Sequence, residues 1–453
     1  MNNKYCFMNN NVDILSNPKN AFWKLSSPLI LLSIFEATYS LVDMFWISQL
    51  SPEAFFAVGV TAPLVSLIIS FGDAVGIGTN SIISRELGEK DFKSTYNSIL
   101  HGIVACGILS VFLMISALFL NDILRLMHVT ESVDLAIVYI TPIFLCSFML
   151  IFSSLFVNTL QAEGNSRIPT CMLIFSNCLN LILDPIFIFV FDWGIIGAAY
   201  STIISSSIAV MFFLYWYLSG KSKVILNFKF FKVGIIYDIF VVAIPNFLMD
   251  GLWCVSMMYF NKILIEQLGS LGVLLYTTSL NIESFIVSPQ KAFGKAVLTI
   301  SGHLFGADDF DKLKEIYGYS LKVSISLVFI TAISFFIVRD YGFALFSVTG
   351  AETSVFYICL FGMFILPSEQ VIIMSNKMLD GMGKSYHSLI LSNGTILLEI
   401  IIITFLAPIL TSGVCVLVGI FLSELIFAIV YYVLLRNMLN GKNMLEERIA
   451  MNS

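Results

Sequence analysis

Two polar side chains interrupt an apolar stretch that reads NCLNLILDPIF over residues 177–187. Asn180 and Asp184 are four residues apart, so a helix places both on one face. Carboxylate and amide oxygens are groups that hold hard cations, and a carboxylate can also take up a proton. Because a charge at the centre of a bilayer costs about 2.5–3.5 kcal/mol on insertion scales, a carboxylate in such a stretch indicates a functional role.

Two more side chains, on other apolar stretches, lie at the same expected depth. Asp43 lies near the end of the first stretch, Asp184 near the end of the fifth, and Thr202 near the start of the sixth. At 1.5 Å per residue, all three are roughly 9–12 Å below the outer surface. The sequence therefore predicts a site for Na⁺ or a proton, formed by Asp43, Asn180, Asp184 and Thr202. The plainer alternative is that these groups only satisfy backbone atoms or cap a helix.

The composition indicates an integral membrane protein, with 58% hydrophobic and 12% charged residues among 453 and a mean hydropathy of +0.91. The sequence shows no basic patch of the kind that binds nucleic acid, so nucleic-acid binding is not expected. The glycine-bearing segment GDAVGIGTN at 72–80 follows a membrane helix rather than a strand, so ATP binding is not expected. The eight cysteines form no C-x-x-C pair, and we expect no cofactor other than a coupling ion.

Apolar stretches of about 20 residues, long enough to cross a membrane as helices, occur twelve times. They fall into two groups of six: 25–48, 54–82, 97–119, 136–160, 168–190 and 194–218, then 236–265, 270–298, 317–338, 354–376, 386–408 and 413–435. The expected fold is an all-α integral membrane protein with twelve transmembrane helices in two six-helix lobes.

The positions of Lys and Arg orient these helices, since cytoplasmic loops collect basic residues. With a cytoplasmic N-terminus, all but Arg125, Lys262 and Arg339 of the 24 basic residues fall on the inside. Both termini are therefore expected in the cytoplasm. The predicted divisions are an N-terminal segment 1–24, a first lobe 25–218, a linker 219–234, a second lobe 235–436 and a tail 437–453.

An internal repeat supports the same division. A shift of 218 residues places Gln49 on Gln267 and Gly76 on Gly294, and it places LGEKDF at 87–92 on FGADDF. Because each repeat holds an even number of spans, the lobes should share one orientation and be related by an axis along the membrane normal. Substrate would then lie between them.

Other residues within the predicted spans are candidates for a substrate cavity, although hydrogen bonds between helices or contact with solvent would explain the ionisable ones equally well. They are Glu36, Tyr139, Asp250, Glu283 and Glu399. The second lobe does not copy the carboxylate pair: its repeat positions hold Asn261 opposite Asp43 and Ile403 opposite Asp184. The ion site is therefore expected in the first lobe.

Pro28 is a gating candidate near the start of the first span. A proline inside a helix can kink it, and a bending first helix would open or close the site. The alternative is a proline in a first helical turn, where its missing N–H has no consequence.

Segments along nearly the whole chain resemble the multidrug and toxic compound extrusion (MATE) family, and more closely its prokaryotic DinF-like branch. They are Pro28 with LVDMFWISQL at 41–50, GVTAPL at 59–64, GIGTNSIISRELGEKD at 76–91, QAEGNSRIP at 161–169, NLILDPIFIF at 180–189 and WGIIGAAYSTIIS at 193–205. The resemblance implies a twelve-helix antiporter with a V-shaped cavity that exports organic, often cationic, compounds in exchange for Na⁺ or H⁺. It also implies that the four first-lobe residues named above form the cation site.

The expected partners are small organic molecules and membrane lipid, with the protein acting as a monomer in the cell membrane. A lipid-linked saccharide flippase of the same broad superfamily is the alternative within transport, and it should have a more basic cavity and often additional spans. A membrane-embedded enzyme or a sensor is disfavoured, because neither a catalytic cluster nor a soluble output domain is apparent.

Overall fold

The computed structural model describes residues 13–90, 92–126, 132–222, 233–268, 270–345, 352–411 and 413–439. Its helices are α1 (Pro18–Ser48), α2 (Pro52–Gly88), α3 (Phe92–Ser116), α4 (Leu120–Leu126), α5 (Val133–Leu145), α6 (Ser147–Ala162), α7 (Arg167–Pro185), α8 (Ile195–Leu218), α9 (Val233–Leu268), α10 (Ser270–Gly306), α11 (Phe310–Leu345), α12 (Glu352–Gly381), α13 (Ser385–Leu406) and α14 (Val414–Met438).

The helices follow the predicted spans closely. Each span falls on a helix or a consecutive pair, and most span ends lie no more than about two residues outside it, as expected for helix boundaries. The third and fifth spans extend further, through the 3-10 turn Ala117–Phe119 after α3 and the π-helical turn Ile186–Val190 after α7. Within the described ranges, eight helices are long and apolar enough to cross a membrane, and the pair α5 and α6 makes nine if it is one span. The helices α1, α10 and α12, with 31, 37 and 30 residues, also have the length to span. The predicted fold class is confirmed.

The chain forms two compact units. One contains Trp23–Ile244, and the other contains Asn17–Phe22 and the chain from Pro245 onward. The first part of α9, up to Ile244, therefore packs with the first unit. Of the predicted terminal and linking segments, residues 1–12, 223–232 and 440–453 lie outside the described residues.

The glycines of the segment 72–80 allow helices to pack closely. A Cβ atom on Gly72 would be 2.9 Å from the Cα of Ile151 in α6. One on Gly78 would be 2.5 Å from the carbonyl oxygen of Ile239 in α9. Both distances are too short for a real Cβ, so these positions need glycine, and the segment serves helix packing.

Proline breaks the helical hydrogen bonding close to the predicted site. Pro185 ends α7 and is followed by a π-helical turn, Ile186–Val190, in which the Phe191 amide donates to the Ile186 carbonyl at 2.9 Å. Single π turns inside helices occur frequently at functional sites. Asp184 directly precedes this break.

Pro28 lies in the interior of α1, ten residues after its first residue, so the alternative of a first-turn proline is wrong. A proline has no N–H, so the carbonyl of Lys24, four residues earlier, has no donor within the helix. The Ser166 hydroxyl, at the start of α7, donates to that carbonyl at 3.4 Å. A side chain from another helix thus replaces the hydrogen bond that Pro28 removes.

Candidate functional site

The centre of the candidate site is a group of buried polar side chains on α7 and α8. Asp184 and Ser201 are fully buried, and Asn180 is 2% exposed. The Ser201 hydroxyl donates to Oδ1 of Asp184, and Nδ2 of Asn180 donates to the Ser201 hydroxyl at 3.0 Å. The four-residue spacing of Asn180 and Asp184 places both side chains toward α8, as predicted.

The helix α1 adds two residues to this group. The Tyr39 hydroxyl donates to Oδ1 of Asn180. The carboxyl group of Asp43, one helical turn after Tyr39, lies within hydrogen-bond range of the carboxyl group of Asp184. The structure therefore brings together Asp43, Asn180 and Asp184 of the four residues predicted for the site.

The two oxygens of Asp184 have different environments. Oδ1 accepts the Ser201 hydroxyl, whereas the buried Oδ2 has no hydrogen-bond donor among the described residues. Two carboxylates in contact inside a membrane repel each other strongly in a medium of low dielectric constant. One proton or one monovalent cation between Asp43 and Asp184 would remove that repulsion and satisfy Oδ2.

Tyr139 is buried in α5, 7% exposed, and interacts electrostatically with both carboxyl groups. The sequence suggested a substrate cavity for this residue. Its observed surroundings are those of the carboxyl pair, and its contact with substrate stays a prediction.

Thr202 lies on the same helix as Ser201, but its hydroxyl donates to the Ala198 carbonyl of its own helix at 3.1 Å. Ser201, which the sequence did not single out, makes the contacts with Asp184 and Asn180 instead. The predicted role of Thr202 in holding a cation stays a prediction.

The remaining cavity candidates are dispersed. Glu36 and Asp250 are exposed, Glu399 is buried in α13, and the side chain of Glu283 in α10 lies outside the described residues. Their contact with substrate stays a prediction.

A second buried carboxylate, Asp380 in α12, shows what a fully paired charge looks like in this protein. Its Oδ1 accepts hydrogen bonds from the Asn246 amide at 3.1 Å and the Ser385 hydroxyl at 2.5 Å. Its Oδ2 accepts one from the Lys377 ammonium at 3.0 Å. Both oxygens have donors and a cation compensates the charge, so Asp380 needs no additional ion. We interpret this group as structural.

The donor set around Asp184 suits Na⁺ or a proton, because carboxyl and hydroxyl oxygens are its available atoms. The described part of the chain has no group of three or more His, Cys, Asp and Glu side chains that could hold a metal ion.

Sequence reasoning missed two residues that contact the predicted site, Tyr39 and Ser201. Tyr39 lies four residues before Asp43, the same spacing that related Asn180 to Asp184, and that signal was available. Ser201 has no comparable signal, because two adjacent hydroxyl residues differ only in the helix face they occupy.

A membrane protein of two helical units, one of which encloses a pair of carboxyl groups, has the characteristics of a transporter. The MatE family model matches residues 28–186 and, a second time, residues 248–405. The chain belongs to the MatE family, and it is therefore a multi-pass membrane transporter and not an enzyme. The matched segments begin 220 residues apart, in agreement with the internal repeat.

Curated relatives and solved structures agree with this assignment. The chain is 25% identical over 382 residues to Multidrug export protein MepA of Staphylococcus aureus (strain N315), covering 83% of this chain and 81% of the relative. It is 25% identical to the MepA of Staphylococcus saprophyticus, covering 82% and 80%.

Among solved structures, a MATE in complex with MaL6 has a TM-score of 0.89 at 25% identity, covering 94% of this chain and 98% of the other. A MOP superfamily transporter from Pyrococcus furiosus has a TM-score of 0.89 at 25% identity, covering 94% and 97%.

Proposed function

We propose that this protein is a cation-coupled antiporter that exports organic, often cationic, compounds by alternating access. The observation that carries the proposal is the Asp43–Asp184 pair, in which Asp43 is half-buried, Asp184 is fully buried and one Asp184 oxygen lacks a donor among the described residues. A membrane transporter with such a pair has a place to load one proton or one Na⁺. Release of that cation changes the charge buried in the first unit by one, which can be coupled to movement of a substrate.

Each residue has a separate task in this proposal. Asp43 and Asp184 carry the charge that the cation neutralises. Asn180 and Ser201 orient Asp184 by hydrogen bonds, and Tyr39 fixes the amide of Asn180. Pro28 makes α1, which carries Asp43 and Tyr39, easier to bend, so the site can change with the conformation of that helix.

The substrate class comes from the relatives, which are named for multidrug export. This favours an exporter of varied small organic molecules over a lipid-linked saccharide flippase. We place the protein in the cell membrane as a monomer. Both termini are placed in the cytoplasm, because the basic residues concentrate in the segments assigned to that side.

The test is efflux of ethidium from proteoliposomes under a Na⁺ gradient at equal pH and, separately, under a proton gradient without Na⁺. Asp43→Asn and Asp184→Asn should each lower gradient-driven efflux at least about tenfold, because a neutral side chain cannot exchange a cation. Ethidium binding in detergent should persist, since the substitutions leave the shape of the protein intact.

The matched control is Asp134→Asn, which removes an exposed carboxylate at the first turn of α5. It should transport at the native rate. Native rates in both site variants would contradict the first-unit coupling site. If the efflux rate of the native protein depends on neither gradient, cation-coupled antiport itself is contradicted.

A further inference from the structure

The Ser201 hydroxyl has more acceptors within reach than it has protons. It donates to Oδ1 of Asp184, and it also lies 2.8 Å from the carbonyl oxygen of Ala198. It accepts from Nδ2 of Asn180 at 3.0 Å. A hydroxyl carries one proton and two lone pairs, so Ser201 can donate to only one of its two acceptors at a time.

The charge on Asp184 determines which acceptor the Ser201 proton takes. A hydrogen bond to an ionised carboxylate is roughly twice as strong as one to a neutral carbonyl, so a charged Asp184 attracts the proton. When a cation neutralises Asp184, the hydroxyl can rotate and donate to the Ala198 carbonyl. This rotation turns a lone pair of Ser201 toward the cation and leaves no buried proton without an acceptor.

Neutral oxygens distinguish a Na⁺ site from a proton site. A proton needs one carboxyl oxygen, whereas Na⁺ needs several oxygens to replace its hydration shell. The carboxyl groups of Asp43 and Asp184 supply charge, and the Tyr39 hydroxyl occupies one of the two lone pairs on the side-chain oxygen of Asn180. The Ser201 oxygen is the neutral side-chain oxygen that contacts Asp184 among the described residues.

We propose that Ser201 is a direct oxygen ligand of Na⁺ at the Asp43–Asp184 pair and determines that this site accepts Na⁺ in addition to a proton. The inference rests on the proposed function, because it concerns the cation that the coupling site binds. It assigns the selectivity to a residue on α8 that carries no charge.

A binding measurement tests this independently of transport. The protein in detergent is heated at fixed pH in increasing NaCl, with choline chloride keeping the ionic strength constant. A ligand that binds the folded state raises the melting temperature with its concentration. We expect Na⁺ to stabilise the native protein and Ser201→Ala to raise the half-maximal Na⁺ concentration at least about tenfold, in the range typical for loss of a group that supports an ion site.

Three further variants separate a ligand from a packing role. Ser201→Thr keeps the hydroxyl and should keep Na⁺ stabilisation. Ser201→Cys approximately keeps the size of the side chain but replaces its oxygen by sulfur, so it should also raise the half-maximal Na⁺ concentration. This variant tests the ligand role even if Ser201→Ala folds poorly. Ser205→Ala removes a buried hydroxyl one turn further along α8. Among the described residues, the acceptors for its proton are the carbonyls of Ser201 and Thr202, so this variant should bind Na⁺ as the native protein does.

Efflux of ethidium from proteoliposomes distinguishes a failure of the Ser201 proposal from a failure of the antiport proposal. Ser201→Ala should lose Na⁺-driven efflux, whereas proton-driven efflux should fall only several-fold, as expected for the loss of one hydrogen bond to Asp184. An unchanged half-maximal Na⁺ concentration in Ser201→Ala and Ser201→Cys overturns the proposal, and so does a native protein that Na⁺ does not stabilise. If native efflux ignores both gradients, the antiport proposal fails, whereas the melting measurement still decides whether Ser201 binds Na⁺.

Discussion

Asp184 differs from Asp380, another buried carboxylate, in how its oxygens are satisfied. Asp380 has donors on both oxygens and an ammonium group beside it. Asp184 has a donor on Oδ1 and faces a second carboxyl group. Removal of the charge should therefore have opposite effects at the two positions.

We expect Asp184→Asn to leave the melting temperature in Na⁺-free buffer unchanged or raise it, because the substitution removes one of two adjacent charges. We expect Asp380→Asn to lower it by many degrees, since breaking a buried, paired charge costs about 3–5 kcal/mol. Thermal unfolding in detergent checks both. A clear loss of stability in Asp184→Asn would indicate that its carboxylate is structural.

Tyr39 should support transport through Asn180. Tyr39→Phe removes the donor to the Asn180 oxygen and should slow gradient-driven efflux several-fold, consistent with about 1 kcal/mol for one hydrogen bond. Tyr259→Phe is a suitable control, because its hydroxyl pairs with Thr404 at 2.6 Å in the second unit. Equal rates for both variants would remove Tyr39 from the site.

Sequence reasoning predicted the two carboxylates and Asn180, and it missed the hydroxyl groups of Tyr39 and Ser201. Asp43 and Asp184 were predictable because a carboxylate in an apolar span is costly and its depth can be counted. The choice between Ser201 and Thr202 depends on about 100° of rotation around α8, and that rotation follows from packing against other helices. Depth alone cannot resolve it.

At the scale of helices, the interior proline of α1 and the serine that replaces its lost hydrogen bond form a pair. Ser166→Ala should destabilise the protein by about 1 kcal/mol, because the Lys24 carbonyl loses its donor. In a Pro28→Ala background the backbone N–H of residue 28 can donate to the Lys24 carbonyl. Ser166→Ala should then have little effect on stability. A double-mutant cycle of melting temperatures measures this coupling, and strict additivity would contradict it.

The close contact of α2 with α9 depends on Gly78. A methyl group at Gly78 would lie 2.5 Å from a backbone oxygen, so Gly78→Ala should lower the melting temperature substantially. Gly107→Ala in α3 meets no atom within 4 Å and should be neutral or stabilising, since alanine favours helix by up to about 1 kcal/mol. Equal melting temperatures for the two variants would show that the contact can relax.

The long helices were predictable from hydropathy, whereas their irregularities were not. The 52° bend between α5 and α6 falls at Cys146, four residues after Pro142. The sequence shows the proline, but the size and direction of a bend are set by neighbouring helices. The same holds for the π-helical turn after Pro185.

At the scale of the whole molecule, the arrangement of charges predicts the membrane orientation. A green fluorescent protein fused to the C-terminus should fluoresce, because it folds in the cytoplasm. Alkaline phosphatase fused after Arg125 should be active, since the predicted topology places that loop outside. A dark C-terminal fusion or an inactive loop fusion would reverse the orientation.

The two matches to one family model imply a history for the placement of the carboxyl pair in the first unit. A segment of six spans begins and ends on the same side of the membrane, so a tandem gene duplication yields a second copy that inserts without inverting. The two copies have since diverged, and Asn261 and Ile403 now stand at the repeat positions of the two carboxylates. Divergence after duplication thus accounts for a repeated fold in which the second copy lacks the counterpart of this carboxylate pair.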